Sequence, residues 1–490
     1  MTTPAANDTM QSSLPLFVDL DGTLVQTDLL YESFLDRLKR DWLLPVRAAA
    51  WLVGGKAHLK TRLAQGHALA VDTLPYNEAV LDRIRAARAA GRGVYLATAS
   101  HMLLARQVAD HLRLFDGVIA TEPGSNVSGR SKLGRLREQT GSDRFEYLGN
   151  SGADIPIWDA AMHAGVVAPD SAARGWLARN ADKAHALGEH ASARSDWLAR
   201  LRALRPHQWL KNLLLGLPLV AAHKVFDLPS VLHIAIAFLA FSLCASAVYV
   251  INDLLDLDSD RAHPHKRQRP FASGAVPLAF GFRIAPLLLA AAFCVGSLVS
   301  WPFNGVLAAY LVIAFAYSLS LKHKMAIDVL TLAALCTLRV VAGAVAIPVV
   351  PSHWLLGFSI FLFFGLALVK RSSELMVAAD AGGNAAPGRN YRVDDLPMVN
   401  AMGVASSYLS VLVLALYISS PDVGLLYARP YGLWLLCPLQ LYWLTRLWLI
   451  TRRGGMHDDP VVYAARDGVS RAVGLCCLLV VLASTVKLPF

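Results

Sequence analysis

The sequence predicts two folds in one chain. The first is an α/β domain with a parallel sheet and a helical cap; the second is an all-α polytopic membrane domain of about nine transmembrane helices. Three observations predict this. Short apolar runs ending in polar, glycine-containing loops alternate with helical patterns up to about residue 170. Apolar stretches long enough to cross a bilayer recur after about residue 205. And 55% of the 490 residues are hydrophobic, with a mean hydropathy of +0.43, although most of the polar sequence lies in the first half.

The opening residues, MTTPAANDTMQSS, have no basic flank and no apolar core, so no signal peptide is expected and the soluble part should stay cytosolic. All six cysteines (Cys244, Cys294, Cys336, Cys437, Cys476, Cys477) fall in apolar spans without zinc-ligand spacing and read as packing residues. The net charge is +10 and the pI about 9.4. The positive charges concentrate beside membrane spans, where orientation and lipid phosphates account for them, so nucleic acid is not expected as a partner.

Leu14 to Leu20 reads as a buried strand delivering Asp19 and Asp21 to a tight loop, Asp19-Leu20-Asp21-Gly22-Thr23. Gly93 to Ser100 is a second strand, ending in the hydroxyls of Thr98 and Ser100. Lys132 follows at a polar helix start, and Phe145 to Asp154 gives a third strand and a glycine-rich loop. Strands alternating with helices place ligands at the carboxyl ends of a parallel sheet. In this order the residues resemble the four motifs of the haloacid dehalogenase-like (HAD) phosphatases, over about residues 14–170. The resemblance implies a Rossmann-like α/β fold. It implies Asp19 as the nucleophile forming an aspartyl-phosphate, Asp21 as acid/base, and Thr98 and Lys132 on the phosphoryl oxygens. It also implies Mg2+ among Asp19, the Asp21 carbonyl and Asp154. A carboxylate attacks phosphorus only when cations neutralise both anions. One departure is Asn150, where the family carries an acidic residue; its amide oxygen would ligate Mg2+ without charge. An active phosphatase and a degenerate domain kept for regulation both remain open.

Domain 1–170 thus contains a cap at about 25–90. Within it Trp42 to Val53, an apolar run too short to span a bilayer, reads either as a cap-core helix or as an interfacial helix resting on the membrane. Residues 171–204 are Ala/Arg-rich and read as a helical linker; Trp197, Leu198, Leu201 and Leu204 recur at helical spacing, suiting a membrane surface.

In the membrane domain, 205–490, apolar stretches lie near 210–226, 230–251, 278–300, 303–320, 325–347, 353–370, 403–420, 430–450 and 469–487. With a cytosolic N-terminus, the connections after every second stretch are cytosolic. They carry nearly all the basic residues: Arg261, Lys266, Arg267 and Arg269; Lys322 and Lys324; Lys370, Arg371, Arg389 and Arg392; Arg452, Arg453 and Arg466. This predicts a multi-pass protein of the inner membrane with its soluble domain and charged loops in the cytosol.

The stretch Asn252 to Gly274, NDLLDLDSDRAHPHKRQRPFASG, brings Asp253, Asp256, Asp258 and Asp260 to the end of a span, followed by His263, His265, Lys266, Arg267 and Arg269. Asp253, Asp256 and Asp260 would share one face of a continuing helix, where like charges call for a compensating cation such as Mg2+. The basic run then reads as a phosphate clamp, or simply as a solvated juxtamembrane loop. The pattern Asn252-Asp253-x-x-Asp256-x-x-x-Asp260 resembles the first aspartate motif of intramembrane UbiA-type prenyltransferases, over residues 205–487. In that superfamily the motif binds Mg2+ and a diphosphate at the cytosolic mouth of a helical bundle.

Arg205-Pro206-x-Gln208-Trp209-x-Lys211-Asn212 and His263-Pro264-x-Lys266-Arg267-x-Arg269-Pro270 resemble the decaprenyl-phosphate phosphoribosyltransferase branch. Where aromatic prenyltransferases carry a second aspartate motif, this chain has Lys370-Arg371-x-x-Glu374, and a donor with a 5-phosphate besides its diphosphate would use those extra cations. The resemblance thus implies transfer of 5-phosphoribose from phosphoribosyl diphosphate to a polyprenyl phosphate. Its substrate-binding residues would be Lys211, Asn212, Asn252, Lys266, Arg267, Arg269, Lys322, Arg339, Lys370 and Glu374. Asp253, Asp256 and Asp260 would bind the metal, with Asp256 catalytic. The HAD part would remove the 5-phosphate. Lys322 is either a phosphate ligand or a snorkelling anchor. Arg339, deep in a span, is functional unless paired with Asp328 or Glu374. Asp458, Asp459 and Asp467 form a last acidic loop, beside the substrate on this reading. A homo-oligomer is compatible with the sequence. An aromatic or isoprenoid-ether prenyltransferase, or a transporter or scaffold carrying a phosphatase, remain the alternatives.

Overall fold

The computed structural model describes residues 14–41, 43–66, 68–141, 144–188, 193–263, 266–385, 389–456 and 459–485; Trp42, Pro264, His265 and Asp458 lie outside them. The chain forms two compact units, Met1–Ala203 with Val250–Arg283, and Leu204–Tyr249 with Ile284–Phe490.

The first unit is built on strands β1 (Leu16–Val18), β2 (Val94–His101), β3 (Gly117–Thr121), β4 (Glu146–Gly149), β5 (His163–Val167) and β6 (Ala184–Leu187). They make one sheet in the order β3-β2-β1-β4-β5-β6, parallel at every pairing. β1 is apolar throughout because both its faces are covered. Leu16 and Val18 join one layer with Ile84, Leu96 and Val108, while Phe17 joins the other with Phe145, Tyr147 and Trp158. The strand order turns around between β1 and β4, so the crevice at their carboxyl ends is the natural ligand position.

Helices Leu29–Arg40, Leu44–Val53 and Lys56–Ala64 lie between β1 and the helix Glu78–Ala89. The latter buries Val80, Leu81, Ile84 and Ala87 in the β1–β2 core and returns the chain to the sheet. The stretch 171–204, expected as a helical linker, holds helices Ser171–Arg179 and Ala193–Ala203 but also β6.

Residues 250–283 pack against the helix Leu29–Arg40. Arg261 donates to both oxygens of buried Glu32, at 2.6 and 3.1 Å. Lys39 meets Asp258 at 2.8 Å, and the Tyr31 and Phe34 rings flank Phe282 at 4.9 and 5.5 Å. Gly274 is required here: its φ is +77°, and a Cβ would overlap the Gln26 carbonyl.

Among the described residues, eight helices are long and apolar enough to cross a membrane: Leu228–Leu255, Leu278–Ser297, Trp301–Leu319, Ile327–Ala346, His353–Asp380, Val393–Ile418, Pro430–Arg452 and Gly468–Thr485. The remaining apolar stretch, near 210–226, instead forms a 3-10 helix, Pro206–Gly216, followed by the short α-helix Leu217–Ala221. Gly216 and Pro218 interrupt it, proline because it brings no amide hydrogen to a continuous α-ladder.

Candidate active sites

The first site lies at the β1–β4 crevice. The Asp19 amide donates to the Leu148 carbonyl at 2.9 Å, tying the loop after β1 to β4. Lys132, on the helix Arg130–Thr140, donates to Asp19 Oδ1 at 3.0 Å, to Tyr147 Oη at 2.8 Å and to Asp154 Oδ1 at 3.4 Å. Asp21 is held at both oxygens: the Leu29 amide donates to Oδ1 at 2.8 Å, while Ser100 Oγ at 2.6 Å and Thr98 Oγ1 at 3.4 Å reach Oδ2. Asp21 therefore sits on the first turn of the cap helix, where free amides favour a carboxylate. Gly22 has a φ of +74°, and a Cβ there would overlap the Asn150 amide, so Asn150 lies directly against the aspartate loop.

Burial pushes the Asp19 carboxyl up to about 7, against the pull of Lys132 and with help from the Asp154 and Asp21 charges. Burial likewise lifts Asp21 to about 6, with Asp28 adding to the rise and the Leu29 amide, Ser100 and Lys60 opposing it. A carboxyl near neutrality can give and take a proton, as an acid/base must.

Asp154 stands in the same crevice, sharing Lys132 with Asp19. Its Oδ1 accepts from Tyr147 as well as Lys132, and its Oδ2 accepts from the Asn150 and Ser151 amides and from Ser151 Oγ, each at 3.2 Å. These donors fix Asp154 against Lys132 and its own loop. The oxygens that would hold Mg2+ here are those of Asp19, the Asp21 carbonyl, Asn150 and Asp154.

Sequence reasoning missed Lys60 and Tyr147. Lys60 reaches from the cap to the Ala99 carbonyl at 2.6 Å and Asn126 Oδ1 at 3.1 Å, and burial lowers its pKa despite Asp21 and Asp28. In sequence Lys60 reads as one more solvated helix cation and Tyr147 as a core aromatic; neither carries a local signal.

The second site is the aspartate segment. The helix Leu228–Leu255 does not run on through it: Asp256, with φ −96° and ψ 12°, separates it from the helix Leu257–Ala262. The amides of Asp256 and Asp260 still donate to the Asn252 and Asp256 carbonyls, keeping the turns in near-helical register. Arg269 compensates the like charges, donating to Asp260 Oδ2 at 2.6 Å and to Asp253 Oδ1 at 3.3 Å. Asp253 and Asp260 are buried, Asp256 is half-buried, and Lys266 and Arg267 are exposed. Burial raises the Asp260 carboxyl against the pull of Arg269.

Among the described residues, no group of three or more His, Cys, Asp or Glu side chains forms a metal cage. The donors in both places are hard oxygens in ones and twos, which fits Mg2+ shared with substrate phosphates and does not fit a closed all-protein site.

In the second unit, Lys211 donates to Asp459 Oδ2 at 2.7 Å, and Lys370 stands 3.8 Å from the same oxygen. Burial lifts the Asp459 carboxyl, but Lys211 and Lys370 outweigh it and hold it at about 2. Fully buried Arg371 pairs with Asp328 at 2.7 Å and with Glu374. Arg389 donates to Tyr317 Oη and to the Lys322 carbonyl, at 2.9 and 3.2 Å.

Arg339 pairs with neither Asp328 nor Glu374. It donates to Asn212 Oδ1, the Leu335 carbonyl and Tyr310 Oη, and lies over the Phe241 and Tyr310 rings. Asn212 in turn donates to Ser242 Oγ at 3.0 Å. Asp467, expected beside the substrate, pairs with Arg446 at 2.6 Å and caps the helix Gly468–Thr485 through Ser470.

Residues 213–466 match the UbiA prenyltransferase family, and residues 16–158 match the haloacid dehalogenase-like hydrolases. The chain is 37% identical to the uncharacterized protein y4nM of Sinorhizobium fredii over 95% of its own length and 90% of that protein's. It is 37% identical to the decaprenyl-phosphate phosphoribosyltransferase of Mycolicibacterium smegmatis over 37% of this chain and 58% of that one. A UbiA homolog from Archaeoglobus fulgidus, solved bound to GPP and Mg2+, superposes with a TM-score of 0.44 at 17% identity, covering 59% of this chain and 99% of its own. The chain is a multi-pass membrane protein that belongs to the UbiA prenyltransferase family and carries a haloacid dehalogenase-like hydrolase domain.

Proposed function

We propose that the membrane part transfers 5-phosphoribose from phosphoribosyl diphosphate to a polyprenyl phosphate, releasing diphosphate, and that the HAD domain then removes the 5-phosphate to give polyprenyl-phosphoryl ribose. The observation that carries this reading is the partly buried cluster of Lys211, Lys370 and Asp459. Two ammonium groups share one carboxylate there, next to Arg371, in the sequence position where a second aspartate motif would bind metal. Such a surplus of cations suits a donor with three phosphates and an acceptor with one. The similarity to decaprenyl-phosphate phosphoribosyltransferases over 186 residues points the same way.

In the transfer, the lipid phosphate is already an anionic nucleophile, so no strong base is needed. Asp253, Asp256 and Asp260 would hold the metal, with Asp256, on the break between the helices, the exchangeable ligand. Mg2+ bound with the diphosphate supplies the positive charge that eases its departure. Lys211, Lys370 and Lys322 would hold anions in the second unit, and Lys266 and Arg267 would bind phosphate on the loop of the first. Arg339 would orient Asn212 from within the bundle.

In the HAD domain, Asp19 would attack the 5-phosphate. Asp21 would protonate the departing ribose oxygen and then take a proton from the water that cleaves the aspartyl-phosphate. Lys132, Thr98 and Ser100 would hold the phosphoryl oxygens and the two aspartates in register.

The contact between Glu32 and Arg261 supports a soluble domain and an aspartate segment on the same, cytosolic side. The chain between them must then cross twice, which makes Pro206–Ala221 a crossing. At about 2.0 Å per 3-10 residue and about 1.5 Å per α-residue its two helices reach about 30 Å, the thickness of the hydrocarbon core.

The test is mass spectrometry of lipids made by the purified protein from labelled phosphoribosyl diphosphate, polyprenyl phosphate and Mg2+. Wild type should yield the dephosphorylated riboside lipid, Asp19→Asn the 5-phosphorylated one, and Asp256→Ala neither. Identical lipids from wild type and Asp19→Asn would refute the tandem reaction, and no ribosylated lipid at all would refute the transfer.

A further inference from the structure

The helix Leu44–Val53 is inside out for a soluble domain. Its first-turn Leu44 is buried, and Trp51, on the same side two turns later, lies under the Arg37 guanidinium at 5.9 Å. The opposite side carries Val46, Ala49, Ala50 and Val53. Val46 is 71% exposed, Leu52 50% and Val53 90%. A cap-core helix would turn those side chains inward; here only Leu44 does so.

What covers this face follows from where the cap is fixed. The helix before it, Leu29–Arg40, packs through Tyr31 and Phe34 on Phe282, in the opening turns of the membrane span Leu278–Ser297. It also pairs through Lys39 with Asp258, three residues beyond the end of the span Leu228–Leu255. The helix Leu44–Val53 therefore follows directly on a helix pinned to two span ends of a chain that lives in a bilayer. Arg47, exposed despite its pair with Asp41, and exposed Lys56 flank the apolar surface, as cations flank helices lying at the headgroup level. A second helix of this unit, Ala193–Ala203, likewise exposes Trp197 and Leu198 while Arg200 stacks on Phe280 of the same span.

We infer that Leu44–Val53 lies in the bilayer interface with Val46, Leu52 and Val53 among the lipids, so that the cap holds the phosphatase crevice over lipid-borne phosphate monoesters. The second half of this inference rests on the phosphatase reading above; the first half does not. The occupant is the lipid surface itself: the face is about two turns of aliphatic side chains, without the aromatic anchors of a protein interface.

The test uses the full chain with its cysteines replaced, carrying one new cysteine at Val46, Val53 or, as control, Ala178, on the helix beside β6. Each is labelled with an environment-sensitive fluorophore in vesicles of phosphatidylcholine and phosphatidylglycerol, with or without brominated acyl chains. The Val46 and Val53 probes should be blue-shifted and lose most of their emission in brominated vesicles, while the Ala178 probe should not change. Probes at Val46 and Val53 that ignore bromine overturn the inference. So does shielding that depends on protein density rather than on bromine, which would mark a second copy of the chain. This readout needs no enzymatic activity. Val46→Asp with Val53→Asp should then abolish turnover of a vesicle-held phosphate monoester and leave that of a water-soluble one unchanged. Equal loss on both would overturn the substrate part alone.

Discussion

The sheet crevice and the aspartate segment meet the same electrostatic difficulty, buried carboxylates side by side, and answer it with cations of opposite character. Lys132 is fixed. Its side chain is 4% exposed, sits on a regular helix and holds Asp19, Tyr147 and Asp154 at once. Arg269 is a strap. It comes from a loop, its side chain is 29% exposed, and it spans Asp253 and Asp260 from one nitrogen. A phosphoryl-transfer site needs its lysine throughout the reaction, so a rigid support suits it. A site that must admit a diphosphate with its metal does better with a cation that can swing away. On the proposed function, Arg269 would keep the aspartates compatible with burial and give way to Mg2+.

Breaking each cation in turn tests this contrast. Lys132→Met should lower phosphatase turnover on the order of 10³-fold, as expected when a preorganised charge is removed from a reacting phosphate, and Mg2+ should restore neither activity nor stability. Arg269→Gln should act on stability first, because it removes the cation that two buried carboxylates share. The loss should be about 2 kcal/mol, below the usual range for a buried pair because the arginine is partly solvated. Millimolar Mg2+ should raise the melting temperature of Arg269→Gln more than that of wild type. Equal shifts in the two proteins would mean that metal and arginine do not compete for the same oxygens.

The glycines sharpen the comparison further. Gly22 and Gly274 both have positive φ, so alanine strains either by about 1 kcal/mol. The Cβ of Gly22→Ala meets the Asn150 side chain, which can turn aside at the cost of its place at the crevice. That of Gly274→Ala meets the Gln26 backbone, which cannot. Gly274→Ala should therefore loosen the cap from residues 250–283, seen as faster hydrogen exchange in the helix Leu29–Arg40, while Gly22→Ala should leave that helix protected.

How legible the molecule was depends on whether a feature is carried by local pattern or by distant contact. The strand ending in Asp19-Leu20-Asp21-Gly22 and the long apolar spans are local, and both were readable. The 3-10 form of Pro206–Gly216 was not, because hydropathy reports length and composition but not hydrogen-bond step. The surroundings of Asp154 were hidden for a related reason: its five donors come from a strand tyrosine, a helix lysine and its own loop, which no spacing reveals. Arg339 was expected to be functional from the cost of a charge in a span, but its partners Asn212 and Tyr310 lie 127 and 29 residues away. Lys60 and the inside-out helix depend wholly on how the cap folds back.

A last contrast separates the two regions by pH. Asp19 and Asp21 are lifted by burial to about 7 and about 6, above their unfolded values, so the native domain holds protons that the unfolded chain has released. That linkage fixes the sign. Their contribution to stability is fully present at low pH and is lost as pH rises through about 6 to 7, so the metal-free domain should be more stable near pH 5 than near pH 8. At about 1.4 kcal/mol per pKa unit, the two groups together should lose on the order of 4 kcal/mol between pH 5 and pH 8. Hydrogen exchange of the β1 and β4 amides in the full chain, corrected for intrinsic rates, reads it locally. Asp19→Asn should flatten the profile by removing one of the two titrating groups. Mg2+ should flatten it too, because a cation at Asp19 and Asn150 favours the ionised carboxylate and draws the native pKa back towards the unfolded one. The same measurement on Asp19→Asn distinguishes the crevice from any other source: a slope as steep as wild type would show that the proton is held elsewhere, and that burial at β1 is not what the domain spends its stability on.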